Sequence, residues 1–425
     1  MIFLSRSGHH RFSGWLVLAG VMLAYGSICG NVTYSFGVFL PSIGQTFGWS
    51  RSMLSSSYTF FLMIGGLLSP VAGLTVARFG ARKNIVWGNI IASLGLLGMS
   101  QVSQIWHIYI FFGIMCGVGM AFSEYLSATT VINNWFLQKR SLALGFLFAA
   151  GGASGLVMPP LISFLISSLG WRQSWVCLAG FHLLLGVVLA GFMIRNTPEE
   201  MGQFRDSMAL TPGVSATTDV AESSSQSTVA DWSLRDALLS PFLWIIVALF
   251  SLLFFVYLML VTHQVVYLQD LGYRPMLSAQ ALGLMLGMSI LGRMISGVLG
   301  LRFDGRHLVM AFLGLMILGV VSLMNAREIV FVYAYSVLTG IGFGGLIVIR
   351  PNLIGAYFGR TNFSRIVGWT APVVTIASAA GPLFAGFLFD RTDGYRLPFA
   401  IAVALLFGGC VLAFFLRPPT VPKDS

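Results

Sequence analysis

Charge is what this chain lacks. Only 9% of its 425 residues are Asp, Glu, Lys or Arg, against about 25% in a soluble globular domain, and 56% are hydrophobic. No soluble fold of this length hides that much apolar surface, so the bilayer must act as the solvent. The sequence is equally poor in redox and metal motifs. Its four cysteines, Cys29, Cys116, Cys177 and Cys410, all fall inside apolar runs, with no Cys-x-x-Cys pair and no histidine at metal-ligand spacing. They read as small buried hydrophobes, and neither a metal nor a cofactor is expected. No paired-Asp, H-E-x-x-H or G-x-S-x-G arrangement occurs in the apolar runs, so an enzyme is not expected. The net charge of +10 does not point to nucleic acid, because the cations are gathered between the runs.

The runs themselves are abundant. They recur about twelve times, over 14–41, 52–77, 84–103, 107–136, 141–168, 173–194, 241–268, 277–301, 307–325, 329–357, 364–389 and 395–416, each near or above the roughly 20 residues a helix needs to cross. Lipid offers a bare backbone no partner, so these segments are expected as helices. The fold class is therefore an all-α membrane protein with twelve transmembrane helices. The 49 glycines suit close helix packing in lipid. Met1 to Ser13 is short, polar and basic, and the run that follows is too long for a signal-peptide core, so it is expected to be retained as helix 1.

One long polar segment, Arg195 to Ser240, interrupts the series and contains Ser223 to Ser227. It reads as a flexible linker with one amphipathic stretch near Trp232 to Leu239. The organisation is thus a six-helix half over 1–194, a linker over 195–240 and a second half over 241–425. With the N-terminus inside, sixteen Lys and Arg lie on inside segments and six outside, which places both termini in the cytoplasm and the chain in the cell membrane, such as a bacterial inner membrane. The halves repeat: Gly73 to Lys83 is echoed by Gly297 to Arg306, and Gly117-Val-Gly119 by Gly340-Ile-Gly342. Two pseudo-symmetric halves with a solute site between them near the midplane is the architecture implied.

A few polar residues inside the runs stand out. Arg293 lies well within its span, where a guanidinium is costly unless it faces a wet cavity or a partner; its planar fork matches a carboxylate, or it holds helices together. Glu124 sits mid-span among small residues and either carries a coupling proton or pairs with Arg293 or Arg350. Histidine's ordinary pKa lies near neutrality, so His263 suits proton or anion exchange, or serves as a hydrogen-bonded structural group. Arg350, just before Pro351, is a second cation for an anion or reaches phosphates at the helix end. Asn31 and Tyr34 in the first run either contact a ligand or bridge helices. Tyr267 and Asp270 suit a gate or interface.

The chain resembles the major facilitator superfamily over nearly its whole length. Gly73, Arg78, Gly80, Arg82 and Lys83 resemble that superfamily's G-x-x-x-D-R-x-G-R-R/K gate motif, with Ala77 where its Asp stands and Leu301 likewise in the second copy. Trp135 to Gly145 resembles the helix 5 start, and Gly381 to Tyr395 the helix 11 end, of the monocarboxylate transporter and oxalate/formate antiporter branch. That resemblance implies a carboxylate-binding Arg at Arg293, a pocket histidine at His263 and a pocket tyrosine at Tyr125. The branch's helix 8 Asp and helix 1 Lys are missing, Ser289 standing at the first position, so proton coupling would fall to Glu124, His263 or the substrate itself.

The expectation is a secondary transporter that moves a small organic anion, such as lactate or a related monocarboxylate, by alternating access with proton symport, acting as a monomer in the lipid bilayer without nucleic acid. Exchange of carboxylates or dicarboxylates against a counter-anion is the alternative, and a solute sensor without flux a more distant one.

Overall fold

The computed structural model describes residues 12–206, 232–300, 302–359 and 363–417. Leu301, Arg360, the serine-rich part of the linker and the ends of the chain that hold Arg6, Arg11 and Lys423 lie outside the described residues. Among the described residues, ten helices are long and apolar enough to cross a bilayer. They are span 1 (Gly14–Phe47), span 4 (Ile105–Trp135), span 5 (Leu142–Leu169), span 6 (Trp171–Met193), span 7 (Pro241–Asp270), span 8 (Pro275–Leu299), span 9 (Gly305–Met324), span 10 (Ile329–Phe358), span 11 (Arg365–Thr392) and span 12 (Arg396–Phe414). Span 2 is a bent pair, Arg51–Leu67 and Ser69–Phe79, joined at 45°. Span 3, Ala81–Met99, carries Arg82 and Lys83 in its first turn, which lowers its hydropathy, and completes the twelve. No strand occurs among the described residues.

Span 1 extends from its expected end at 41 to Phe47, where Gly48 turns the chain with φ +67. Its ends and those of its neighbours alternate between two faces, so the loop over Gly80 marks one of them, the motif face, and Arg51 marks the opposite face. Spans 1, 5 and 6 pack together, as do spans 3, 4 and 6; later in the chain, span 10 lies between spans 8 and 9, and span 7 runs along spans 11 and 12. Contacts between the first six spans and the last six are made by span 2 on span 11, span 5 on span 8, and the end of span 1 on span 7. The crossing of spans 8 and 10 is close because both sides lack a Cβ: one on Gly292 would overlap the Ile341 carbonyl, and one on Gly344 the Ser289 carbonyl.

The motif loop is tied down by span 6. Gly80 takes φ +86, and Asn196 Oδ1 accepts from the Arg82 amide at 2.8 Å. The Arg82 guanidinium caps the end of span 6 at the Gly191 carbonyl, 2.9 Å away. Asn84 donates to Ala72 O and to Thr75 Oγ1, joining spans 2 and 3. Gly73 faces Leu126 of span 4, while Arg78 and Lys83 are exposed. Cys29 and Cys116 are buried as expected, but Cys177 is exposed and Cys410 half-buried. These two have bilayer around them where a soluble protein would have core.

Candidate functional site

Three irregularities in two helices shape the middle of the molecule. Span 1 widens into a π-helical turn over Cys29–Thr33, and span 4 does so over Tyr109–Cys116. Such wide turns recur at functional sites because they redirect side chains and loosen the backbone ladder. Span 4 then breaks at Glu124, whose φ −85 and ψ −119 are not helical, and resumes as Tyr125–Trp135.

The expected residues gather around these irregularities. Arg293 of span 8 is half-buried; one terminal nitrogen donates to the Phe148 carbonyl of span 5, and its buried Nε has no hydrogen-bond partner. Tyr25, Cys29 and Tyr34 of span 1 and Tyr257 of span 7 lie within electrostatic reach of its charge. Glu124 is half-buried and accepts from Cys29 Sγ at 3.7 Å. Tyr34 is within hydrogen-bonding reach of Tyr257, whose ring stacks on Phe343 at 3.3 Å. Tyr125 stacks on Phe148 at 5.8 Å and 14°, and is near the charge of Arg350 from span 10. Among the described residues the single ion pair is Arg51–Asp270, so neither Arg293, Arg350 nor Glu124 is neutralised by a partner. Tyr125 is 62% exposed, although the 11-residue segment Tyr125–Trp135, about 16 Å of helix, separates it from the motif face. Its ring is therefore uncovered by neighbouring helices at that depth.

Two expected residues lie elsewhere. Asn31 is fully buried and donates to Ser27 Oγ at 3.0 Å, which in turn contacts His182 Nδ1 at 2.6 Å, inside the first six spans. His263 is also fully buried. Its Nδ1 meets the Tyr395 hydroxyl at 2.8 Å, and its Nε2 lies 3.1 Å from Ser55 Oγ and 2.8 Å from the Pro382 carbonyl.

His263 belongs to a seal on the opposite face. Arg51 makes a bidentate pair with Asp270 at 2.6 and 2.8 Å, its guanidinium lying 3.7 Å from the Phe389 ring. Asp390 accepts from the amides of Arg51 at 3.1 Å and Ser52 at 2.9 Å, capping the start of span 2. Thr59 donates to the Ala379 carbonyl at 2.6 Å. Among the described residues these bonds, with Ser55–His263, join the two sets of spans at the opposite face; Arg293–Phe148 is the crossing bond nearer the motif face. Ser55, Tyr25 and Tyr257 carry no sequence signal of their own, since hydroxyls and aromatics are common in spans, whereas Asp390 stands within the Gly381 to Tyr395 motif.

A model of the Major Facilitator Superfamily matches residues 21–329 and 292–425. The chain belongs to that superfamily. Relatives within it include monocarboxylate transporters. Monocarboxylate transporter 13 of Rattus norvegicus is 26% identical over 93% of this chain and 87% of its own length. Monocarboxylate transporter 4 of Gallus gallus is 27% identical over 92% and 79%. Among solved structures, a bacterial homolog to the human lysosomal transporter Spinster, in an inward-facing and occupied conformation, superposes with TM-score 0.75 over 96% of this chain and 97% of that one. At 14% identity that likeness fixes the superfamily fold and nothing finer. The protein is a multi-pass membrane transporter of that superfamily, similar in sequence to monocarboxylate transporters.

Proposed function

We propose that the chain carries a small monocarboxylate such as lactate by alternating access, with a proton moving in the same direction. The supporting observation is Arg293: a half-buried guanidinium that faces tyrosines and a backbone carbonyl, with no carboxylate. A buried charge left unpaired is destabilising by about 3–5 kcal/mol, and an arriving carboxylate offsets that cost through a bidentate pair. Anion binding then favours closing the halves, 1–194 and 241–425, over it, with 195–240 as the linker between them.

In this reading Tyr34 and Tyr257 line the anion, Tyr125 guards the way in, and Glu124, unpaired except for Cys29, takes the proton. His263 works in the seal and not on the ligand, and Asn31 steadies the wide turn of span 1. Gly73, Arg78, Gly80, Arg82 and Lys83 order the motif face, which the Lys and Arg bias assigns to the cytoplasm together with both termini.

The test is uptake of labelled lactate into sealed proteoliposomes holding the purified full chain. Arg293→Gln is expected to lower uptake at least about tenfold, the loss of a charge-assisted bond. Glu124→Gln is expected to keep lactate exchange but lose acceleration by an inward proton gradient. Equal uptake by Arg293→Gln and wild type would remove the anchor. Wild-type uptake that ignores the gradient and needs preloaded anion selects exchange instead.

A further inference from the structure

We propose that Arg350 forms a second anion subsite beside the Arg293 site, so that short dicarboxylates bind with one carboxylate at each cation. This rests on Arg293 being the carboxylate anchor. Phe148 connects the two positions. Its carbonyl accepts from Arg293, its ring meets Tyr25 edge-on at 6.0 Å and 73°, and its face stacks on Tyr125. Tyr125 in turn lies within electrostatic reach of Arg350. One aromatic wall contributed by spans 1, 4 and 5 thus fronts two guanidinium groups from spans 8 and 10.

Neither cation is compensated. The ion pair at Arg51–Asp270 is the only one among the described residues, and it lies at the opposite face. Arg350 is half-buried, its Cζ 5.8 Å from the Phe250 ring. A contact of that kind is worth about 0.5–1 kcal/mol, well short of the several kcal/mol that an unpaired buried charge costs. Glu124 supplies at most one negative charge nearby and is bonded to Cys29. A monocarboxylate at Arg293 therefore leaves Arg350 unanswered, whereas a dianion answers both. Arginine at each position favours paired carboxylate oxygens over a diffuse anion such as chloride. A lone cation reaching out to lipid phosphate would not need an exposed tyrosine from the other half beside it.

Succinate, its monomethyl ester and lactate are the probes, applied as competitors of labelled lactate uptake in proteoliposomes. Arg350→Gln is expected to raise the succinate concentration that halves uptake at least about tenfold, while the values for lactate and monomethyl succinate move less than about twofold. Arg350→Lys, which keeps the charge without the fork, is expected to fall between. Thermal stabilisation of the detergent-purified protein gives a second readout: succinate is expected to raise the wild-type melting temperature and to do so less for Arg350→Gln. If Arg350→Gln shifts succinate and its monomethyl ester equally, or if succinate neither competes nor stabilises the wild type, the second subsite is overturned and the Arg293 anchor stands. If no carboxylate is taken up or bound by the wild type, and Arg293→Gln changes nothing, both fall together.

Discussion

Arg293 and Glu124 were legible in the sequence for one reason: a charge inside an apolar run has to be accounted for by a cavity or a partner. The residues around them were not. Tyr25, Tyr257 and Phe148 look like ordinary span aromatics until the helices meet, and Cys29 looks like a buried hydrophobe until Glu124 is found 3.7 Å away. His263 was visible as unusual, but its helical position alone could not tell a chamber wall from a seal; the last turns of span 7 meet spans 2 and 11, and that places it in the seal. Asp206 gave no sequence signal at all. Its carboxylate accepts from the amides of Leu137 at 2.7 Å, Gln138 at 3.1 Å and Lys139 at 2.8 Å, fastening the linker to the loop before span 5. Burial, which pushes its pKa up, is outweighed by these three donors and by Lys139, so the pKa lies below the usual aspartate value. A depressed carboxylate pKa stabilises the fold above the unfolded value of about 3.9 and loses that contribution as pH falls through the folded one. Asp206→Ala is therefore expected to lower the melting temperature at pH 7 by no more than about 2 °C, since the group is partly exposed. The gap should close on acidification below about pH 4; a gap unchanged at pH 3 would mean the carboxylate charge plays no part.

At the scale of elements, hydropathy and turn residues were enough to find the spans, because each crossing must satisfy its own backbone. The irregularities escaped. Ser69-Pro70 marks the 45° bend in span 2 only in retrospect, since proline also sits unremarkably in the first turn of a helix, and the break at Glu124 has no proline or glycine beside it. The seal is likewise an assembly of helix ends from spans 2, 7 and 11. Its ion pair is bidentate and partly exposed, with side chains 19% and 39% accessible, and is worth on the order of 1 kcal/mol. On a background with Cys177 and Cys410 replaced by Ser, a reporter Ser55→Cys is expected to react slowly with an impermeant maleimide. Adding Asp270→Asn should speed that reaction about two- to fivefold. An unchanged rate would show that the Arg51–Asp270 pair does not hold this face shut.

For the whole molecule, the pattern of two repeated six-helix sets was readable from Gly73 to Lys83 and its echo, but not which face would be closed. That depends on contacts between residues hundreds of positions apart, such as Thr59 with Ala379, and no local pattern encodes them. Gly386 lets spans 2 and 11 meet closely at the seal: an added Cβ would lie 2.8 Å from the Arg51 carbonyl oxygen and 2.9 Å from Ser52 Cα, so any side chain there must push the two sets apart. Gly386→Val is therefore expected to speed maleimide labelling of the Ser55→Cys reporter by at least about fivefold. Labelling as slow as with glycine at 386 would show that this close approach does not hold the face shut.

The closed wall of Arg51, Asp270 and Asp390 also makes the two compartments unequal for any blocking molecule. From the motif face such a molecule does not meet that wall. From the other it must wait until the wall parts by its own thermal motion, so the speed of its onset is governed by the protein and not by its dose.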